Sequence, residues 1–494
     1  MLFNSYDFIF GFLPLVFLGF LVLARTGVPT LVQVWLVICS LFFYGWWNYK
    51  YLVLILVSIL FNYFVGLLIS HGRNPARRIW LTLGVCFNLG LLGYFKYADF
   101  FIGTINIVFE TDFNLLHVIL PLAISFFTFQ QIAYLVDRYQ DVEFEREISF
   151  LEYMLFVAFF PQLIAGPIVH HSHVIPQFRM PEFGRFSLDN LNIGVTIFFF
   201  GLCKKVIIAD RFGEWATPAF AMVDGGGVLS MQEAWLGAMT YTFQLYFDFS
   251  GYSDMAIGLG RIFGIRLPAN FYSPYKADSV IGFWQRWHMT LSRFLRDYLY
   301  IPLGGNRKGK PRRYINLMIT MLLGGLWHGA SWTFVFWGGL HGVYLCINHV
   351  WRACKHRCGL RLLPERFARP VSVLITFSAV VVAWVFFRAE TFPGALTMLQ
   401  SMFGMLSVDA GHQALYEHAD KVTGWVAGGC MIVWFMPNIM QVFDRVKPSI
   451  DALPEYKGRL AWSPNIVWLV FTLVIMYETT GSLSNISEFL YFQF

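Results

Sequence analysis

The sequence predicts an all-α polytopic membrane protein, and three observations carry that prediction. Of 494 residues, 57% are hydrophobic and 19% aromatic, while only 13% are charged, about half the ~25% usual in soluble domains. Apolar runs long enough, or nearly so, to cross ~30 Å of hydrocarbon recur along the whole chain. Basic residues gather in short segments between those runs, as the positive-inside rule describes for cytoplasmic loops. With no soluble segment between them, residues 1–494 read as a single integral membrane domain.

In chain order the apolar segments are 8–24, 31–46, 51–70, 79–97, 114–136, 151–169, 191–209, 235–260, 314–330, 331–350, 371–388, 423–443 and 461–480. They predict about 10–13 transmembrane and re-entrant helices. The first has no basic flank before it and no small-residue cleavage site after it, so it reads as a retained helix and not a signal peptide. The basic clusters His71–Arg78, Asn306–Arg313, Arg352–Arg369 and Arg445–Arg459 read as cytoplasmic, and counting back from Arg77 places the N-terminus outside. The net charge of +6 is then membrane asymmetry, with no nucleic-acid partner implied.

Other motifs exclude more than they assign. No inverted repeat of the transporter kind is visible. Gly258-Leu-Gly260-Arg-Ile-Phe-Gly264 lacks a preceding strand and reads as close helix packing, not as a phosphate loop. The seven cysteines imply no disulfide framework, and Cys354, His356 and Cys358 lack a second ligand pair. His170, His171 and His173 follow Gly166-Pro167 at a helix end and read as capping or headgroup-contacting residues. No metal is expected.

His328 stands out in Leu-Trp-His-Gly-Ala, residues 326–330, inside an apolar run from Tyr314 through Trp337. An ionisable side chain at bilayer depth is costly unless paired or hydrated, which makes it a functional-site hypothesis; a buried structural histidine is the alternative. Gln244, Asp248, Ser250, Ser253 and Asp254 bring polarity into another membrane-like stretch. A break at Gly251 would bring the two aspartates together on a cavity wall, and pairing with arginines such as Arg286 or Arg293 is compatible with that. Trp284, Trp287, Leu291, Leu295 and Tyr298 form the stripe of one amphipathic helix that also carries His288. The turn 301–313 combines glycines with Arg307 and Lys308 and suits a phosphorylated ligand, though a plain cytoplasmic loop explains the same charges.

Five motifs together are highly specific: Pro161-Gln-Leu-Ile-Ala-Gly-Pro167, the segment 245–256, Phe283-Trp-Gln-Arg-Trp-His288, the segment 297–305 and Leu326-Trp-His-Gly-Ala330. On these the chain resembles the membrane-bound O-acyltransferase (MBOAT) family. Within it, the match is to the bacterial branch that acetylates envelope polysaccharides, its alginate-acetylating members first and cellulose-acetylating members close behind. The resemblance covers nearly the whole chain, with a core about 120–345 and an aromatic tail at 489–494. It implies a ring of helices around a thin centre, with opposed funnels meeting near the catalytic histidine. By the same match His328 is that histidine and His288 the second polar position. Arg286, Arg307 and Lys308 are candidate donor-binding residues.

The implied activity is acetyl transfer from cytoplasmic acetyl-CoA across the inner membrane, for O-acetylation of a secreted exopolysaccharide such as alginate. Cellulose, peptidoglycan or another envelope polymer is an alternative acceptor. A periplasmic partner of the SGNH, esterase-like fold is implied for the final transfer, along with the polysaccharide and membrane lipid. The chemistry needs a base for the hydroxyl proton and donors for the developing oxyanion. His328 suits the first; His288, Asn316 or backbone amides near Gly324-Gly325 suit the second. Tyr491 is an acyl-carrier candidate by analogy with relatives, or an aromatic interfacial anchor. Two other classes stay open: a polar-solute or acyl-group transporter without chemistry, and a glycosyltransferase using a lipid-linked sugar.

Overall fold

The computed structural model describes residues 1–71, 75–140, 147–359, 364–408, 414–483 and 488–490, and among them there are helices, turns and loops but no strand. Among the described residues, five helical runs are long and apolar enough to cross a membrane: Asp7–Ala24, Tyr49–Ser70, Ala76–Phe109, Leu188–Asp224 and Arg366–Arg388. Pro29–Gly45 and Ile466–Gly481 are shorter apolar helices. Whole faces of these elements are uncovered apolar surface: Ile466, Val467, Leu469, Val470, Phe471, Leu473 and Val474 are all exposed on a single helix. Such continuous apolar faces belong in lipid.

The centre is the Met231–Ile262 helix, buried along almost its entire length. At ~1.5 Å per residue its 32 residues run about 48 Å. A capping box of Ser230 and Glu233 starts it, satisfying amide donors that a helix end leaves over. It packs closely on the Leu188–Cys203 helix because glycines face each other. A Cβ at Gly194 would lie 2.6 Å from the Gly258 carbonyl oxygen, and one at Gly251 would lie 2.7 Å from that of Gly201. Small residues at such crossings let backbones touch where apolar burial gives helices little reason to associate. The glycine-spaced stretch at Gly258 is therefore helix packing, as expected. Gly251 makes no break: the helix runs straight through it, and the expected approach of Asp248 to Asp254 does not occur.

Two predicted spans are interrupted. Residues 151–169 form only Phe150–Ala158 and the short Phe160–Leu163 before becoming irregular, as Pro161 and Gly166-Pro167 dictate. Side chains cover two of the polar groups left by the interruption. Ser40 Oγ accepts from the Phe160 amide at 3.1 Å, and Gln162 donates to the Phe156 carbonyl at 2.6 Å. In the 114–136 segment helix begins only at Ile124.

The Gly309–His328 and Trp332–Cys358 helices form a hairpin that turns immediately after His328. Gly325 and Gly338 meet at its crossing, each with backbone atoms 3.1 Å from where the other's Cβ would be.

Candidate active site

His328 ends its helix at the hairpin tip and is 4% exposed. Aromatic rings enclose it: Trp327 at 5.0 Å between centroids, Trp337 at 5.1 Å and Phe387 at 5.3 Å. The last carbonyls of a helix need donors. Here Lys96 Nζ donates to the Trp327 and His328 carbonyls at 2.6 and 3.2 Å, and Tyr97 Oη donates to that of Leu326 at 3.0 Å. A cation at the C-terminal end also opposes the helix dipole. Lys96 was legible in principle, as a lone cation in an apolar run, but the sequence reading passed over it.

His288 faces His328 with ring centroids 6.2 Å apart, so the structure joins the two histidines the sequence selects. It is fully buried, and its backbone is left-handed at φ 43°. That conformation costs a non-glycine residue roughly 1–2 kcal/mol and breaks the expected amphipathic helix into Val280–Trp284, Met289–Leu295 and the π-helical Arg296–Tyr300. Asn270 holds the break. Its carbonyl accepts from the Met289 amide at 2.9 Å, its Nδ2 donates to Ser253 at 3.2 Å, and its Oδ1 accepts from Thr290 at 2.9 Å. The same Oδ1 lies 3.0 Å from His288 Nδ1. Since an amide oxygen only accepts, His288 carries its proton on Nδ1 and presents Nε2 as the basic nitrogen. A third buried histidine, His341, accepts from Trp284 Nε1 at 3.3 Å; nothing in the sequence reading singled it out.

Two cavities approach this centre. One of about 320 Å³ is lined by His170, His173, Thr290, Arg293, Arg296 and Tyr298, among others, so its wall includes the threonine that shares Asn270 with His288. The other, about 190 Å³, is lined by Lys96, Asp99 and Ala330 together with Tyr94, Val118 and Leu120. They lie at different levels of the Ala76–Phe109 run, the first near its start and the second at residues 94–99, just past its middle. Arg77 at its start binds the Arg138 and Tyr139 carbonyls, beside Asp137 and the His170 network. Lys96 stands about 30 Å further along.

Several expectations are corrected. Asp248 pairs with Lys205 at 2.7 Å and Asp254 with Lys204 at 2.5 Å. Both aspartates are buried ion-paired groups on different faces of one helix, and their partners are these lysines in place of Arg286 or Arg293. Arg293 instead makes a two-pronged contact with Asp451 at 2.5 and 3.2 Å. Asn316 is buried but donates to the Gly305 carbonyl at 2.9 Å. Twelve residues of helix, about 18 Å, separate it from His328, so it tethers the preceding turn and cannot hold an oxyanion there. Arg307 and Lys308 are exposed on that turn, and Arg286 is half-buried; none of the three lines the cavity reaching Thr290, whose arginines are Arg293 and Arg296. Tyr491 lies outside the described residues.

His170 caps the His171–Phe178 helix by accepting from the Ser172 amide, as expected, but His171 is buried and far from a headgroup contact. His170 Nε2 lies 2.5 Å from Asp137 Oδ2, and Tyr298 Oη donates to the same oxygen at 2.7 Å. Asp137, His170 and His171 bring three potential ligand atoms within 4.8 Å of one another, the one such cluster among the described residues; both histidines lie within ion-pair distance of Asp137, at 2.5 and 3.5 Å. All seven cysteines are free.

The model of the membrane-bound O-acyltransferase family matches residues 140–387, a span that contains both facing histidines. A peptidoglycan O-acetyltransferase of Helicobacter pylori is 48% identical, with the alignment covering 100% of this chain and 98% of the relative. The chain belongs to the membrane-bound O-acyltransferase family. It is therefore a multi-pass membrane acyltransferase. A protein of Pseudomonas putida named a probable alginate O-acetylase is 40% identical over 100% of both chains. A teichoic acid D-alanyltransferase of Streptococcus thermophilus is 30% identical over 54% of this chain and 68% of its own.

Proposed function

We propose that this acyltransferase takes acetyl from acetyl-CoA at the cytoplasmic face of the inner membrane and delivers it for O-acetylation of an envelope glycan. The observation that carries the reading is the buried, facing pair His288 and His328, approached by one cavity through Thr290 and by another beside Lys96. In the reaction, an acceptor hydroxyl attacks the thioester carbonyl while His328 takes its proton. The oxyanion collapses, the C–S bond breaks, and the proton passes to the departing thiolate. The aromatic cage keeps water from competing with the acceptor. Arg293, Arg296 and His170 line the larger cavity, and the donor's phosphates would take the place of the carboxylates of Asp451, Asp297 and Asp137 that pair with them.

The first acceptor hydroxyl in this reading is that of Tyr491, and an SGNH-type periplasmic partner then moves acetyl to the polymer. Peptidoglycan is the polymer placed first, ahead of alginate, because the relative named for it is 48% identical over the full chain against 40% for the Pseudomonas putida protein. Cellulose has no comparable support.

The test is coenzyme A release from radiolabelled acetyl-CoA by the purified protein in nanodiscs. His328→Ala is expected to lower it by a factor of about 10² or more. Release that survives this change would overturn the acyltransfer role of His328 and bring the transporter forward. Muropeptide O-acetyl content in cells carrying His328→Ala then decides the polymer: unchanged content removes peptidoglycan.

A further inference from the structure

A segment from beyond the family-matched span 140–387 reaches the support of the histidine pair. The Ile450 amide donates to the Leu267 carbonyl at 3.2 Å, and Tyr272 Oη donates to that of Pro454 at 3.1 Å, so residues 450–454 lie along 267–272. Between these two ties Asp451 Oδ2 accepts from the Ala269 amide at 2.6 Å. The next residue is Asn270, whose Oδ1 fixes His288 and Thr290. The same carboxylate takes both prongs of Arg293, whose Nη2 also donates to the Ala269 carbonyl at 3.4 Å. Arg293 stands on the Met289–Leu295 helix, which His288 begins as its N-cap. One carboxylate therefore touches both routes to His288, through Ala269 to Asn270 and through Arg293 along that helix. Residues 265–271 are irregular, so no regular backbone ladder places Asn270, and charge-assisted contacts of this kind are about twice as strong as neutral ones.

We propose that Asp451 is a positioning residue for His288, acting through the Ala269–Asn270 segment. It touches no reacting atom. The part His288 plays in turnover rests on the acyltransfer reading above, in which a donor phosphate takes Arg293. The Ala269 amide is then the partner that Asp451 keeps, so Asn270 stays placed while the cavity is occupied.

The test uses the full chain in nanodiscs and follows diethylpyrocarbonate modification of His288 in the tryptic peptide 287–293, where it is the one histidine. Modification should be slow in the wild type and at least about fivefold faster in Asp451→Ala, as in Asn270→Ala, because the local hold on the ring is lost. Asp451→Asn keeps one acceptor oxygen for Ala269. It should move the rate the same way by a smaller factor, and it supplies the test should Asp451→Ala not fold. In turnover, Asp451→Ala should lower kcat for coenzyme A release at least about fivefold. Added to Asn270→Ala, it should lower kcat by no more than about a further twofold, since the two act along one route. Unchanged modification of His288 in a folded variant overturns the proposal. So do effects that multiply in the double variant, or a lower KM for acetyl-CoA with kcat unchanged, which would make Asp451 only a competitor for Arg293. Full kcat in His288→Gln would remove His288 from the chemistry, and the modification rates would still judge Asp451 by themselves.

Discussion

The two histidines differ in how the chain holds them. His328 sits at a helix terminus whose carbonyls are covered by Lys96 and Tyr97, so its backbone is anchored by groups more than two hundred residues away in sequence. His288 is held by a strained backbone and by a single amide oxygen shared with Thr290. Strain of this kind persists only where the surroundings over-determine it, and Asn270 is what does so here. Asn270→Ala should therefore release the ring. Losing the acceptor for a buried donor costs about 1–3 kcal/mol, read as a lower thermal midpoint in detergent. Coenzyme A release should fall by about tenfold or more, because the imidazole no longer has a fixed tautomer. An unchanged rate would show that His288 needs no orienting partner. His328 was legible because an ionisable group in an apolar run is conspicuous. Asn270 was not: an asparagine in a loop, eighteen residues before His288, carries no mark of what it will face.

At the level of elements, glycines decide which helices can touch. The hairpin that ends in His328 closes at Gly325 and Gly338, and a side chain at Gly338 would collide with the Met321 carbonyl and the Gly325 backbone. Gly338→Ala should separate the helices, with overpacking costing about 1–3 kcal/mol and a measurable fall in both thermal midpoint and transfer rate. A variant with wild-type stability and activity would mean that the crossing relaxes freely. The same device in the Met231–Ile262 helix explains why Gly251 packs where a break was expected. Composition alone does not separate a helix-breaking glycine from a helix-packing one, since both occur in apolar surroundings. The break at His288 ran the other way: a regular tryptophan and leucine stripe concealed a left-handed residue that only tertiary contacts impose.

Across the whole molecule, the two cavities sit at different levels of one helical run. One cavity lies by the basic start of the Ala76–Phe109 run and the other beside Lys96, just past its middle. The proposed function, with the basic loops cytoplasmic, assigns the donor to the larger cavity and the acceptor to the smaller. Inside-out vesicles should then release coenzyme A from external acetyl-CoA, and sealed right-side-out vesicles should not. Equal release from both would remove the assignment of donor side.

By itself the sequence determined the membrane class, the helical architecture, the family and the central histidine, because hydropathy, charge placement and compact motifs are local properties of a chain. The tertiary structure decided who meets whom: Asp248 with Lys205, Lys96 with the end of the histidine helix, His288 with Asn270, and the tail at 488–490 with the central helix. Each of these joins residues distant in the chain, and each depends on helix register and crossing. Those are set by which small residues happen to face one another, a pairing that no single segment encodes.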